Sequence, residues 1–227
     1  MAIPKIEELL DLTHTLAAPL FEGKRYPWEI LSPLKDFIRE LGASLPKEEY
    51  DEIAPKVWVH KSAKIAPTAL IAGPTVIGAG TEVRHCAFIR GSALVGEGCV
   101  VGNSTEVKNA VIFDNVQVPH YNYVGDTILG FRSHMGAGVV ASNFRSDKGN
   151  VSVKIGDEKI GDEKIETGLR KLGAILGDGV DVGCNSVLCP GSVVGRDTII
   201  YPLSRVRGFI PERSILKGDG TVVPRKI

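Results

Sequence analysis

At 227 residues the chain suffices for one large domain, or a domain with an appendage, and its 27 Lys and Arg balance 27 Asp and Glu. That neutrality offers no net field toward nucleic acid or an anionic membrane, so neither partner is expected. No long apolar run and no basic-plus-apolar leader occurs, which predicts neither a membrane helix nor a signal peptide.

Residues 1–55 read as a helical cap. Ile6, Leu9, Leu10 and Leu12 suggest a short helix. Ser32-Pro33 is a helix start, with the cap residue followed by proline at the first helical position. Leu34, Phe37, Ile38 and Leu41 then form an apolar stripe that Gly42 closes, and Pro46 to Ile53 suggest a third helix. The role expected of this segment is to cover the open end of the repeats that begin near residue 56.

Those repeats keep a clock of six. Val59, Ile65, Ile71, Ile77, Val83, Ile89, Val95, Val101, Val107 and Phe113 stand six apart, and the beat resumes from Leu176 through Val182, Leu188, Val194 and Ile200 to Val206. Neither a helix nor an ordinary strand repeats at six. Two positions ahead sits a small residue, such as Ala63, Thr81, Ala87, Cys99 or Ser186. One large inward residue per face and one small residue per corner describe a triangular solenoid. The fold class predicted is all-β, a left-handed parallel β-helix over about residues 56–210, with coils stacked by parallel hydrogen bonding.

Cys86, Cys99, Cys184 and Cys189 fall inside the hexads without C-x-x-C spacing, which predicts a reduced, cytoplasmic protein. The clock breaks at Pro119-His-Tyr-Asn-Tyr123, where His120 is expected on an extruded loop. Residues 143–171 leave it entirely, with Val151, Val153 and Ile155 alternating and a duplicated Gly-Asp-Glu-Lys-Ile, so an extruded hairpin or arm is expected. Residues 211–227, with Lys217-Gly-Asp-Gly220 as a turn, read as a C-terminal hairpin or tail.

Breaks in a regular solenoid are where function concentrates. A histidine held there can act as a general base, or be an ordinary surface histidine. Gly136-Ala-Gly138 with Ser142-Asn143 supplies backbone amides and one side-chain amide, and unaided it reads as a tight corner followed by a loop exit.

The run His120-x-Asn-Tyr123-x-Gly-Asp126, then Gly136-Ala-Gly138, then Asn143, resembles the acetyltransferase domain of bifunctional sugar-1-phosphate nucleotidylyltransferases and glucosamine-1-phosphate N-acetyltransferases. Thr167-Gly-Leu-Arg-Lys-Leu-Gly-Ala174 and Val182-Gly-Cys-Asn-Ser186 are similar to the same family, and the resemblance covers about residues 57–210. It implies a homotrimer with acetyl-CoA between neighbouring subunits as co-substrate, an amino sugar or its 1-phosphate as acceptor, and no metal. It implies His120 as the base, Tyr123 on the sugar phosphate, Asn143 orienting the amine, Ala137 at the thioester and Cys184 near the coenzyme.

Two departures matter. The first 55 residues are too few for a nucleotidyltransferase domain, so no nucleotidyl transfer is expected of this chain. Gly149 and Ser152 stand where relatives carry phosphate-binding lysines, with Lys148 and Lys154 adjacent. Lys148 becomes a substrate-binding candidate, and a weakened dependence on acceptor phosphate is expected. Two rivals share the scaffold. One is a non-catalytic trimerisation or regulatory module. The other is a γ-carbonic-anhydrase-like zinc protein using His85 and His120, although the usual third ligand position holds Gly125. His14, His60 and His134 read as isolated surface residues.

Overall fold

The computed structural model describes residues 3–155 and 163–226, so part of the duplicated pentapeptide lies outside the described residues. The body is the left-handed parallel β-helix, with short strands stacked in three columns. One column runs Val57–His60, Thr75–Ile77, Ala93–Val95, then through Glu106–Ile112 and Tyr123–Leu129 to Ala174–Leu176, Ser192–Val194 and Phe209–Ile210. A second begins at Leu70–Ile71 and Phe88–Ile89, crosses the first turn of those two long strands, and continues through Val140–Ala141, Val187–Leu188 and Arg205–Val206. The third runs from Lys64–Ile65 to Ser214–Leu216.

The inward residues of the clock are buried, with only Ile65 and Ile71 of the first coil partly exposed. Burying each such side chain contributes roughly 1.5–3 kcal/mol. The corner slots explain the small residues. Thr81 Oγ1 donates to the Gly96 carbonyl at 2.7 Å and accepts from Cys99 N at 2.9 Å, which staples one coil to the next. Ser186 repeats the device with Tyr201 and Ser204.

The clock slips one residue earlier than its sequence suggests. Ile112, not Phe113, stands in register with Val95, so that coil is one residue short. Phe113 instead meets Phe21 edge-on at 6.2 Å between ring centroids. His120 is therefore no extruded loop residue. It ends the Gln117–His120 strand, opposite Asn103, at a corner turned by Tyr121 with φ +51°.

The N-terminal segment covers a face rather than an end. Outward residues of the first column, Val76, Leu94, Val111, Ile128, Ile175 and Val193, are all fully buried. The helix Leu34–Ser44 packs on Thr75–Ile77 and Ala93–Val95, and the 3₁₀ turn Pro27–Leu31 packs on Tyr123–Leu129. Farther along, Asp178 Oδ2 accepts from Asp11 N at 2.7 Å, Asp178 N donates to the Leu9 carbonyl, and His14 stacks on Phe131 at 3.6 Å. His14 is thus part of a contact, and His134 lies 2.8 Å from Asp181. Neither is isolated.

The helix starts after Pro33 without a side-chain cap, because Ser32 ends the preceding 3₁₀ turn, and it runs past Gly42 to Ser44. Gly42 is a contact residue, since a Cβ there would overlap the Trp58 ring. The third helix is absent. Tyr50–Ala54 is a strand antiparallel to Val57–His60, and Val222–Pro224 pairs antiparallel with Ser214–Leu216 at the other end. These two strands blunt exposed edges of the solenoid. The arm forms a hairpin, Ser152–Ile155 against Glu163–Glu166, closed at its base by a Phe144–Lys171 bridge. It lies down on the solenoid, with Val151 and Val153 buried and the Ser152 carbonyl close against Gly191. Among the described residues no helix is long and apolar enough to cross a membrane.

Candidate functional site

Parallel stacking turns distant residues into neighbours on one edge. Gly138 N donates to the His120 carbonyl at 3.0 Å, Asn185 N to the Ala137 carbonyl at 2.8 Å, and Leu203 N to the Cys184 carbonyl at 2.9 Å. His120, Ala137 and Cys184 therefore occupy successive coils of one corner, about 4.8 Å apart per coil. His120 and Cys184 are exposed and Ala137 is half-buried. The corner is held from inside by Asn122. Its buried amide donates to the Gly136 carbonyl at 2.8 Å while its Oδ1 accepts from His120 N at 3.0 Å.

Tyr123 opens the next strand and faces outward on the second column, between Glu106 and Val140. Asn143, at the exit to the arm, donates through Nδ2 to Tyr123 Oη at 3.1 Å and to Asp126 Oδ2 at 2.5 Å. Asp126 is buried, accepts also from Asn109 Nδ2 at 2.8 Å, and pairs with Lys108 at 3.6 Å. Burial above all raises the Tyr123 phenol above its ordinary value, with the Asp126 and Glu106 charges adding to the effect and Asn143 and Arg90 opposing it. Tyr123 thus stays neutral, and with Asn143 on its lone pair it keeps a proton to donate.

Gly125 lies under this network. A Cβ there would sit 2.6 Å from Tyr123 Oη and 2.8 Å from Asn143 Nδ2. The position that would carry a third zinc ligand is filled by the neighbours' side chains. His85 and His120 share a corner but lie two coils, roughly 10 Å, apart, beyond the reach of one zinc ion. No group of three His, Cys, Asp or Glu gathers among the described residues.

Lys148 is not brought to this network. It turns the arm at φ +60°, exposed, with its backbone bonded to Arg145. The cations that do approach are Lys108, on Asp126, and Arg90, which pairs with Glu106 at 2.7 Å. Sequence reasoning missed both, together with Asn109, and assigned no role to Asp126, which it met only as the last residue of the motif. A signal existed, because Arg90 and Lys108 are eighteen apart, one full coil, and Asn109 and Asp126 are seventeen apart, one coil where the stack is a residue short.

Residues 82–216 match the family model of the GMPPB C-terminal domain. The chain is 31% identical over 204 residues to the bifunctional protein GlmU of Methanococcus maripaludis strain C5, covering 88% of this chain and 48% of that one. It is 33% identical over 173 residues to GlmU of Methanocaldococcus jannaschii, covering 75% and 41%. The chain spans about half the length of the curated relatives it matches. The solved acetyltransferase domain of PglB from Neisseria gonorrhoeae, in complex with acetyl coenzyme A, aligns at 16% identity with a TM-score of 0.37, covering 74% of this chain and 57% of that one.

Proposed function

The chain belongs to the GMPPB C-terminal domain family, and from that premise we propose that it transfers an acetyl group from acetyl-CoA to the amine of an amino sugar or amino sugar 1-phosphate. The observation that carries the reading is the single edge on which His120, Ala137 and Cys184 stack, beside the Tyr123–Asn143–Asp126 network. The edge suits an extended coenzyme running across coils, its thioester near Ala137 and its chain passing Cys184. The network suits the acceptor.

The acceptor nitrogen attacks the thioester carbonyl carbon, so a C–N bond forms and the C–S bond breaks. His120 takes a proton from that nitrogen and returns it to the departing thiolate. Asn143 and Tyr123 hold the acceptor in place, and such positioning lowers the barrier without any new bond to the protein. Arg90 and Lys108, each already paired with a carboxylate, are the cations beside this network that an acceptor phosphate would engage, which supports a phosphorylated acceptor more directly than Lys148 does.

The same reading takes the protein as a homotrimer. Its most apolar face is covered by its own N-terminal segment, which leaves the ladder of Leu70, Phe88 and Val187, all exposed on the Tyr123 face, to meet a second copy. Three copies closing a ring would place each His120 edge at a subunit boundary.

The test is His120→Ala. Acetyl transfer should fall by about 10²–10⁴, the usual cost of removing a general base, with an unchanged melting temperature because the side chain is exposed. Retained transfer would sink the assignment, and absence of transfer in the native protein would favour a non-catalytic trimerisation module.

A further inference from the structure

The edge that carries His120 continues toward the N-terminus through Asn103 to His85, since Tyr121 N donates to the Asn103 carbonyl and Asn103 Nδ2 to the His85 carbonyl. There, two coils from His120, stands a second chemically competent cluster that acyl transfer does not use. Cys86 Sγ lies 3.2 Å from His85 Nε2, and His85 Nδ1 lies 2.7 Å from Thr68 Oγ1, one coil below. Thr68 Oγ1 also accepts from Cys86 N at 3.3 Å. In the tautomer whose Nδ1–H donates to the threonine oxygen, Nε2 is the acceptor that faces the thiol. A nucleophile, a base and a group that orients the base are therefore in line.

The cluster is open. Cys86, His85 and Thr68 are all exposed, and Cys86 holds φ +56°, which fixes its side chain outward at the corner. A cleft of about 340 Å³ adjoins the imidazole, lined in part by Lys64, Glu82 and Arg84. Glu82 pairs with both cations, at 3.7 and 3.0 Å, so the cleft keeps one positive charge in excess. The other cysteines differ. Cys99 is buried with its thiol on the Phe113 carbonyl, Cys189 is partly buried, and Cys184 is exposed but its sulfur has no hydrogen-bond partner among the described residues.

We propose that Cys86 is a site of reversible S-thiolation by a small anionic disulfide, with His85 as its base and Thr68 as the residue that orients His85. His85 takes the thiol proton, the thiolate attacks one sulfur of the disulfide, and the S–S bond breaks. The departing thiolate then takes the proton from His85. One thiol and one disulfide become a mixed disulfide and one released thiol, so no further oxidant is consumed. The excess positive charge beside His85 favours an anionic reagent over a cationic one. This inference uses none of the acyl-transfer chemistry, although its site stands on the edge that the trimer reading sets at a subunit boundary.

The experiment uses the intact native protein at neutral pH with oxidised glutathione, 5,5′-dithiobis(2-nitrobenzoate) and the dication cystamine, and mass mapping of each cysteine over time. Cys86 should react at least about tenfold faster than Cys184, which is also exposed, as expected of a thiol with an adjacent base. The two anionic reagents should outpace cystamine at Cys86 and not at Cys184. His85→Ala should bring Cys86 down to the Cys184 rate, added imidazole should restore part of it, and Thr68→Val should fall between. Excess dithiothreitol should reverse the adduct. Equal rates at Cys86 and Cys184, or a His85→Ala protein that reacts at the native rate, would overturn the proposal. A slowed His85→Ala protein that imidazole cannot rescue would also overturn it, because the ring would then be shaping the corner rather than moving a proton.

Discussion

Asp126→Asn tests whether the buried carboxylate orients Asn143. The substitution keeps size and shape, and Asn tolerates the native φ of +50° as readily as Asp. It removes the charge on which Asn109 and Asn143 converge at 2.8 and 2.5 Å. A hydrogen bond to a charged acceptor contributes about 1.5–3 kcal/mol, against about 0.5–1.5 for a neutral pair. The single amide oxygen keeps one bond as a neutral pair and the amide nitrogen, itself a donor, loses the other, which together lose about 2.5–4.5 kcal/mol. Neutralising Asp126 also relieves its desolvation and releases Lys108 toward water. The net loss of stability should be about 1.5–3 kcal/mol, or a melting temperature lower by about 3–12 °C for a chain of this size. Activity should suffer more, because Asn143 loses the partner that fixes its amide. We expect kcat/KM for the amine acceptor to fall about 30–100-fold, which corresponds to about 2–2.7 kcal/mol of lost transition-state binding. The assay is release of the coenzyme thiol at fixed acetyl-CoA, run beside thermal unfolding. A lowered melting temperature with kcat/KM within about threefold of the native value would show that Asp126 supports the fold alone.

Gly125→Ala should fold normally, since the nearest atoms the intruding Cβ meets are the movable ends of Tyr123 and Asn143, yet kcat/KM should fall about tenfold as they are pushed apart. Unchanged kinetics would show that their 3.1 Å contact is incidental. Arg90→Ala should lower kcat/KM for a 1-phosphorylated acceptor about tenfold more than for the free amino sugar, whereas Lys148→Ala should leave that ratio unchanged. The opposite outcome, measured with both acceptors, would return the phosphate to the arm. Burial pushes the Cys99 thiol up to about 12, while an unfolded chain loses that proton near 8.5–9. Its contribution is therefore fully present below pH ~9 and lost as pH rises toward 12, by about 1.4 kcal/mol per pH unit. Denaturant unfolding of native and Cys99→Ser protein across that window should converge with this slope, and parallel curves would refute the assignment.

The legible and the hidden parts of this fold have different physical origins. The hexads were legible because each inward slot is filled from a narrow choice, as Ile77, Val95 and Leu176 are, while each corner admits only a small residue such as Thr81 or Ser186. A one-residue slip was invisible because both residues at the slip, Ile112 and Phe113, are apolar and both are buried. The stripe of Leu34, Phe37, Ile38 and Leu41 announced a buried helix face but not its partner. Amphipathicity states that a face is covered and leaves open by what. Here the partners are Thr75–Ile77 and Ala93–Val95, whose outward Val76 and Leu94 alternate with the inward residues and so hide inside the hexad pattern.

The same stacking explains the candidate site. His120, Tyr123 and Asn143 stood out because they interrupt the repeat, whereas Arg90 and Lys108 sit within it and look like ordinary surface charges. A solenoid brings together residues one coil apart, so the useful comparison is of position 90 with 108, and of 109 with 126, rather than between neighbours in the chain. The arm obeys the opposite rule. Its lysines were weighed by their spacing from Asn143, but the chain there leaves the stack. Spacing no longer sets position: Lys148 sits in an exposed turn of the arm, while Lys108 pairs with Asp126. Sequence distance is therefore a guide to contact in this fold only where the coil period holds, and residues that enter the site from outside the coils must be placed by the structure itself.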